Sequence, residues 1–257
     1  MKSMLLCCIT VLFALSPLTS VADAPAAGKP PAAPRKRAPS PALQQIQDDP
    51  ALPRVLLIGD SISMGYTVDV RELLKGKANV HRPPANCGPT TTGLKSVDQW
   101  LAVGNEAGKP AKKWDVIHFN FGLHDLKYMD DKGTLVGPDK GKQQVPPAEY
   151  EKNLRELVGK LKATGAKLIW CATTPVPDGS NGRVAGDEAK YNQIAEKVMK
   201  ENNVQINDLA AFAKPKLAEI QLPKNVHFSP AGSKVLAAQV AGTIEKALSE
   251  RPKSAAR

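Results

Sequence analysis

The feature that most restricts the fold is a series of short apolar runs, each followed by a stretch of helical character. Arg54-Val55-Leu56-Leu57-Ile58 is the first, and it stops at Gly59. An unbroken run of that length marks a strand buried on both faces. A helix follows over about 63–74, then a short strand at Asn79-Val80-His81 and a helix from Thr92 to Val103. Strands are also expected at Asp115 to Phe121, Lys167 to Ala172 and Val204 to Asn207. Between them, Glu149 to Ala163 and Asp187 to Glu201 read as helices. In the first of these, Tyr150, Leu154, Leu157, Val158 and Leu161 share one face of a 3.6-residue period. Gly165 ends it. The last helix opens with Ser229 as N-cap and Pro230 at N1, and runs to about Leu248. Strands and helices that alternate in this way predict an α/β chain: a three-layer α/β/α sandwich around a five-stranded parallel sheet ordered 2-1-3-4-5. Ligands of such sheets bind beyond the carboxyl ends of the strands, so chemistry is sought near Asp60-Ser61, Cys87-Gly88, Gly122 to Asp125 and Thr173.

The ends of the chain read differently. Lys2 followed by the apolar run Met4 to Leu15, with Ser20-Val21-Ala22 behind it, has the pattern of a secretory signal peptide over 1–22. The expected location is secreted or periplasmic, with no integral membrane segment once the signal is removed. Residues 23–50 are rich in Pro and Ala and carry Arg35-Lys36-Arg37, which predicts a linker. The folded domain is expected over 51–250 and a flexible tail over 251–257. Two cysteines, Cys87 and Cys171, lie beyond the signal, too few for a disulfide framework. Strands two and four are not neighbours in the expected order, which argues against a bridge between them. The formal charge of +10 is spread along the chain without an Arg/Lys stripe interleaved with aromatics, so nucleic acid is not an expected partner. A monomer is expected.

Gly59-Asp60-Ser61-Ile62-Ser63 sits between the first strand and a helix, where a serine hydroxyl stands at the sheet edge beside amides suited to developing negative charge. An ordinary N-cap serine has the same local pattern. Ser63 replaces the second glycine of a Gly-x-Ser-x-Gly elbow, which disfavours the usual α/β-hydrolase arrangement. Neither a Gly-x-Gly-x-x-Gly loop nor a Gly-Lys-Ser/Thr phosphate loop is present. His81, His118, His124 and His227 show no close metal-ligand spacing, and neither metal nor cofactor is expected.

Four segments together resemble the SGNH (GDSL-like) hydrolases. Gly59-Asp60-Ser61 is similar to that family's first block, and Asn86-Cys87-Gly88-Pro89-Thr90-Thr91 to its second. Gly122-Leu123-His124-Asp125 stands in place of the third block, Gly-x-Asn-Asp, and Val226-His227-Phe228-Ser229 resembles the block that carries the base. The blocks keep the family's order and span Val55 to Gly232. The resemblance implies a flavodoxin-like architecture, Ser61 as nucleophile and His227 as general base. It also implies an oxyanion hole from the N–H groups of Ser61 and Gly88 with the side chain at 124. Asp60 and Asp125 are expected to support the site by bonding loop amides.

The sequence departs from the family pattern at two positions. His124 replaces the asparagine donor of the third block, and a neutral imidazole still offers one N–H. The competing readings are a structural histidine, or Asn120 as the true donor. Lys224 stands where the family has an aspartate, three residues before the base. Three groups can orient His227 instead: a backbone carbonyl near Lys224, the side-chain oxygen of Asn225, or Asp208. The first departs least from the local chain path and is the expected one, giving a Ser–His dyad. The substrate expected is a small acyl ester or acylated carbohydrate. An acyltransferase on the same serine and a non-catalytic glycan-binding module are the alternatives. The segment Lys127 to Pro147 is expected to wall the site, with Phe121, Tyr128 and Met129 as lining residues.

Overall fold

A computed structural model describes residues 40–250. The signal peptide, most of the linker and the tail expected from the sequence lie outside the described residues.

Strand β1 (Arg54–Ile58) leads into helix α1 (Ser61–Leu73), β2 (Asn79–His81) into α2 (Thr90–Leu101), and β3 (Val116–Phe119) into a small hairpin of β4 (Tyr128–Met129) and β5 (Lys142–Gln143). Then come α3 (Pro147–Lys162), β6 (Lys167–Cys171), α4 (Asp187–Glu201) and β7 (Gln205–Asn207). Two short helices, α5 (Leu209–Ala213) and α6 (Leu217–Ile220), precede the long α7 (Pro230–Ser249). The main sheet has the order β2-β1-β3-β6-β7 with every pairing parallel, the expected five-stranded arrangement. Helices α1 and α7 pack together as one layer, and α2, α3 and α4 lie side by side as the other. Strands β1, β2 and β3 are buried along their whole length, which explains their lack of polar alternation. The chain reverses its winding between β1 and β3, the position where such sheets open a crevice.

Three local features differ from the sequence expectation. Residues 40–50 are not a free linker. Asp48 pairs with Arg54 (3.1 Å), His81 (2.5 Å) and Lys112 (3.0 Å), while Arg71 donates to the carbonyls of Pro41 and Gln44. These polar contacts hold the stretch on the domain. The hairpin β4–β5 appears in what reads as loop, fastened by Tyr128 N–H to the Gly182 carbonyl at 2.8 Å. Phe121 does not line the site: it is core, and a Cβ at Gly93 of α2 would come within 2.9 Å of its ring. Cys87 and Cys171 are both buried and free, and burial pushes the Cys87 thiol up to about 11. His118 is also core: burial lowers it to about 3, so it is neutral and accepts from Asn207 Nδ2 at 3.2 Å.

Candidate active site

The Ser61 turn is built at the end of β1. Asp60 is the N-cap of α1, its Oδ1 accepting from the Ile62 amide at 2.9 Å. Ser61 is therefore the first helical residue. Its own amide makes no hydrogen bond among the described residues and remains available to an anion at the helix start. Arg82, which sequence reasoning missed, holds this turn from beneath. Its side chain is fully buried and donates to the carbonyls of Gly59 (3.1 Å) and Ala85 (3.2 Å), to Thr67 Oγ1 (3.0 Å) and to Ser63 Oγ (3.3 Å). One guanidinium thus ties β1, α1 and the loop after β2 into a unit.

His227 arrives on a tight hairpin between α6 and α7. Gln221 pairs with Phe228, Leu222 N–H donates to the His227 carbonyl at 2.9 Å, and Asn225 N–H donates back to Leu222 at 3.2 Å. Lys224 turns the corner with φ +53°, a left-handed conformation that is costly for a residue with a side chain. The turn brings His227 Nε2 to 2.8 Å from Ser61 Oγ, across 166 residues of sequence.

The protonation pattern of the pair follows from Asn225. The Asn225 Oδ1 atom accepts the backbone N–H of His227 at 3.0 Å and also faces His227 Nδ1 at 2.7 Å. A backbone N–H only donates, so the Asn225 atom that meets it is the oxygen, and Nδ1 must carry the ring proton. Nε2 is then unprotonated and accepts the Ser61 O–H. The atom that faces Nδ1 is Asn225 Oδ1, where the sequence reading favoured a carbonyl near Lys224. Asp208 is occupied elsewhere, its Oδ1 capping α5 through the Ala211 amide at 2.9 Å. Lys224 lays its side-chain stem along Gly179.

The remaining predicted donors divide. Gly88 sits at φ +64° beside the Ser61 turn, but its N–H is spent on Asn86 Oδ1 at 3.0 Å, so the expected oxyanion donor is taken up in a local turn. His124 lies on the turn after β3, closed by Leu126 N–H to the Gly122 carbonyl at 2.9 Å. That turn presses on the loop after β6 so closely that a Cβ at Gly122 would fall 2.1 Å from Thr173 Oγ1. Asn120, the competing donor, is committed to the Cys171 carbonyl (2.7 Å) and Thr173 Oγ1 (3.2 Å). Burial, then the charges of Lys127, Arg183 and His227, hold the His124 imidazole below its ordinary value against the pull of Asp60, so it is neutral at pH 7. The turn that carries it follows β3, at the same carboxyl end of the sheet as the Ser61 turn after β1. Asp125 Oδ1 accepts Thr90 N–H (2.8 Å) and Oγ1–H (2.6 Å) at the start of α2. Burial raises its carboxyl to about 7.

Ser61 is half-buried, while His227 and Asn225 are exposed, so the centre is open rather than sunk in a cavity. A cavity of about 680 Å³ lies at the opposite end of the sheet around Asp48, Arg54 and Lys112, away from Ser61. Beside the base hairpin is a smaller apolar hollow of about 300 Å³, lined by Pro177, Leu217, Ala218, Gln221, Leu222 and Pro223. Among the described residues no group of three His, Cys, Asp or Glu side chains is placed to hold a metal ion, and no helix is long and apolar enough to cross a membrane.

Solved structures share this fold at low identity. An acetyl xylan esterase, AlAXEase, matches with a TM-score of 0.58 and 19% identity over 74% of this chain and 99% of its own. The lipase/acylhydrolase from Enterococcus faecalis matches with a TM-score of 0.60 and 19% identity over 79% and 100%. Axe2, an acetylxylan esterase from Geobacillus stearothermophilus, gives 0.59 and 19% over 78% and 96%. No curated protein sequence matches the chain. A family model, that of the GDSL-like lipases and acylhydrolases, matches residues 57–235, a span that holds Ser61, Gly88, His124 and His227 together. By that match the chain belongs to the GDSL-like lipase/acylhydrolase family.

Proposed function

We propose that this protein is an exported serine esterase that hydrolyses small acyl esters through an acyl-enzyme on Ser61. The observation that carries the reading is the continuous relay Ser61 Oγ–His227 Nε2 (2.8 Å) and His227 Nδ1–Asn225 Oδ1 (2.7 Å). His227 takes the Ser61 proton as the oxygen attacks the ester carbonyl, and Asn225 Oδ1 accepts from the imidazolium that forms. The Ser61 amide and the His124 ring N–H receive the oxyanion, each worth roughly 3–4 kcal/mol at the transition state. The tetrahedral intermediate collapses when His227 gives its proton to the leaving alcohol. Water, deprotonated by the same imidazole, then releases the acid and restores the Ser61 hydroxyl.

The substrate class is a small ester, with O-acetyl carbohydrate as the first candidate. His227 is exposed, and the segment Asp131-Lys132-Gly133-Thr134 that follows β4 is polar and exposed, a poor cover for a long acyl chain. Two of the solved neighbours are named as acetylxylan esterases. An open site also admits water to the acyl-enzyme, which favours hydrolysis over transfer to a second alcohol.

The test is a panel of p-nitrophenyl esters of increasing chain length together with acetylated xylan and acetylated monosaccharides, run with the full chain. Turnover of the acetyl esters that disappears in Ser61→Ala is expected. A folded protein that releases no acid from any ester overturns the esterase reading and leaves a binding module.

A further inference from the structure

An imidazole in place of an amide creates a problem that the asparagine of the family pattern does not have. An amide always has N–H groups to offer, whereas a neutral imidazole carries one proton shared between two nitrogens. If the proton sits on the wrong nitrogen, a lone pair faces the oxyanion and repels it. A histidine at position 124 can serve only if something fixes its tautomer.

The side chain of Lys127 approaches that ring. Its Nζ lies 3.4 Å from His124 Nδ1, at the long end of the hydrogen-bond range. An ammonium has three donors and no acceptor, so Nδ1 must accept and the ring proton must sit on Nε2. Lys127 is held in place on both sides: its carbonyl accepts the Gln144 amide at 2.8 Å, and the next residue, Tyr128, donates to Gly182 at 2.8 Å. Arg183 completes the setting, with Nε donating to the carbonyl of Leu123 at 3.1 Å, directly before His124. Neither Lys127 nor Arg183 forms an ion pair with a carboxylate among the described residues. Two cations beside one imidazole disfavour its protonation, which keeps Nδ1 free to accept.

We infer that Lys127 is a positioning residue that locks His124 in the Nε2–H tautomer and so equips it as an oxyanion donor. The inference rests on the esterase reading and adds the residue that replaces the built-in polarity of an asparagine.

The test combines kinetics with a direct view of the ring. Lys127→Met keeps the stem and removes the donor; Lys127→Arg restores donor and charge. Lys127→Met is expected to lower kcat on p-nitrophenyl acetate by about 10-fold with little change in KM, because the oxyanion exists only after attack. The loss stays below the 10²–10³ of a missing donor because the released ring still visits the useful tautomer. Lys127→Arg is expected to recover most of it. In a His124→Asn background, where no tautomer needs fixing, Lys127→Met should cost less than about twofold further. Long-range ¹H–¹⁵N spectra of the wild-type protein should show His124 protonated at Nε2 alone. A proton on Nδ1, or equal losses in both backgrounds, overturns the inference while leaving an active esterase. Absence of all ester turnover sinks the functional reading instead, and the spectra still decide the tautomer.

Discussion

Replacement of Asn225 separates the relay from a simple Ser–His dyad. In the ground state the Nδ1–H···Oδ1 bond joins two neutral groups and is worth about 0.5–1.5 kcal/mol net. As His227 takes the serine proton the same bond becomes charge-assisted and roughly twice as strong. Asn225→Ala therefore removes about 1 kcal/mol of transition-state stabilisation, near fivefold in rate. It also frees an exposed ring to rotate and to place its proton on Nε2, where it cannot accept from Ser61. Together these predict a fall in kcat on the order of 10², short of the roughly 10⁴ lost when a triad aspartate is removed. Asn225→Asp acts in the opposite direction. Asn225 Nδ2 donates to nothing among the described residues, so the swap sacrifices no bond and adds a charge beside Nδ1. At about 4 Å that charge is worth roughly 1 kcal/mol in water and 4 at an intermediate dielectric. It favours the imidazolium, so the acid limb of kcat/KM should move up by about one to two pH units, with a higher plateau above it. The assay is a pH series of p-nitrophenyl acetate hydrolysis for the three proteins. Wild-type kcat and an unmoved profile in Asn225→Ala would refute the orienting role and return it to the chain near Lys224.

Arg82→Met removes the donor to the Gly59 and Ala85 carbonyls, Thr67 Oγ1 and Ser63 Oγ, and unfolding in urea should show a loss of about 3–5 kcal/mol; an unchanged midpoint contradicts the clamp. Asp125 binds its proton more tightly folded than unfolded, since burial raises it from 3.8 to about 7. The stability linked to that proton is complete below about pH 4 and is lost as the pH rises through 7, by up to about 4 kcal/mol. Asp125→Asn keeps the acceptor for Thr90 without the titration, so thermal melts should show the variant gaining on wild type between about pH 4 and 7; parallel curves count against it. Asn86→Ala releases the Gly88 amide toward the oxyanion, so kcat should hold or rise; a fall beyond tenfold would show that the Asn86 turn shapes the hole.

Much of the fold could be read from residue order because burial leaves a strong pattern. The Val55–Ile58 run, the stripe from Tyr150 to Leu161 and the Ser229-Pro230 start of α7 each occur where the sequence puts them. Ser61 and His227 were singled out by their places in the family's blocks, and the fold brings their side chains to 2.8 Å. What stayed hidden depends on contacts between distant segments. Asn225 was one acceptor among three until the left-handed turn at Lys224 aimed its side chain at the ring. Arg82 and Arg183 look like ordinary loop cations, since nothing in their neighbourhood says that they will meet carbonyls at 59, 85 and 123. Asn86 spending its oxygen on Gly88 is a two-residue geometry that the motif does not encode. The β4–β5 pairing involves only two residues on each side and shows no alternation to detect.

The most direct measurement is covalent labelling of the full chain with a fluorophosphonate, followed by peptide mass spectrometry. The Ser61–His227–Asn225 relay predicts one adduct, on Ser61, absent in Ser61→Ala and formed at least tenfold more slowly in His227→Ala. A folded wild type that takes no label, or takes it equally fast without His227, would contradict the relay.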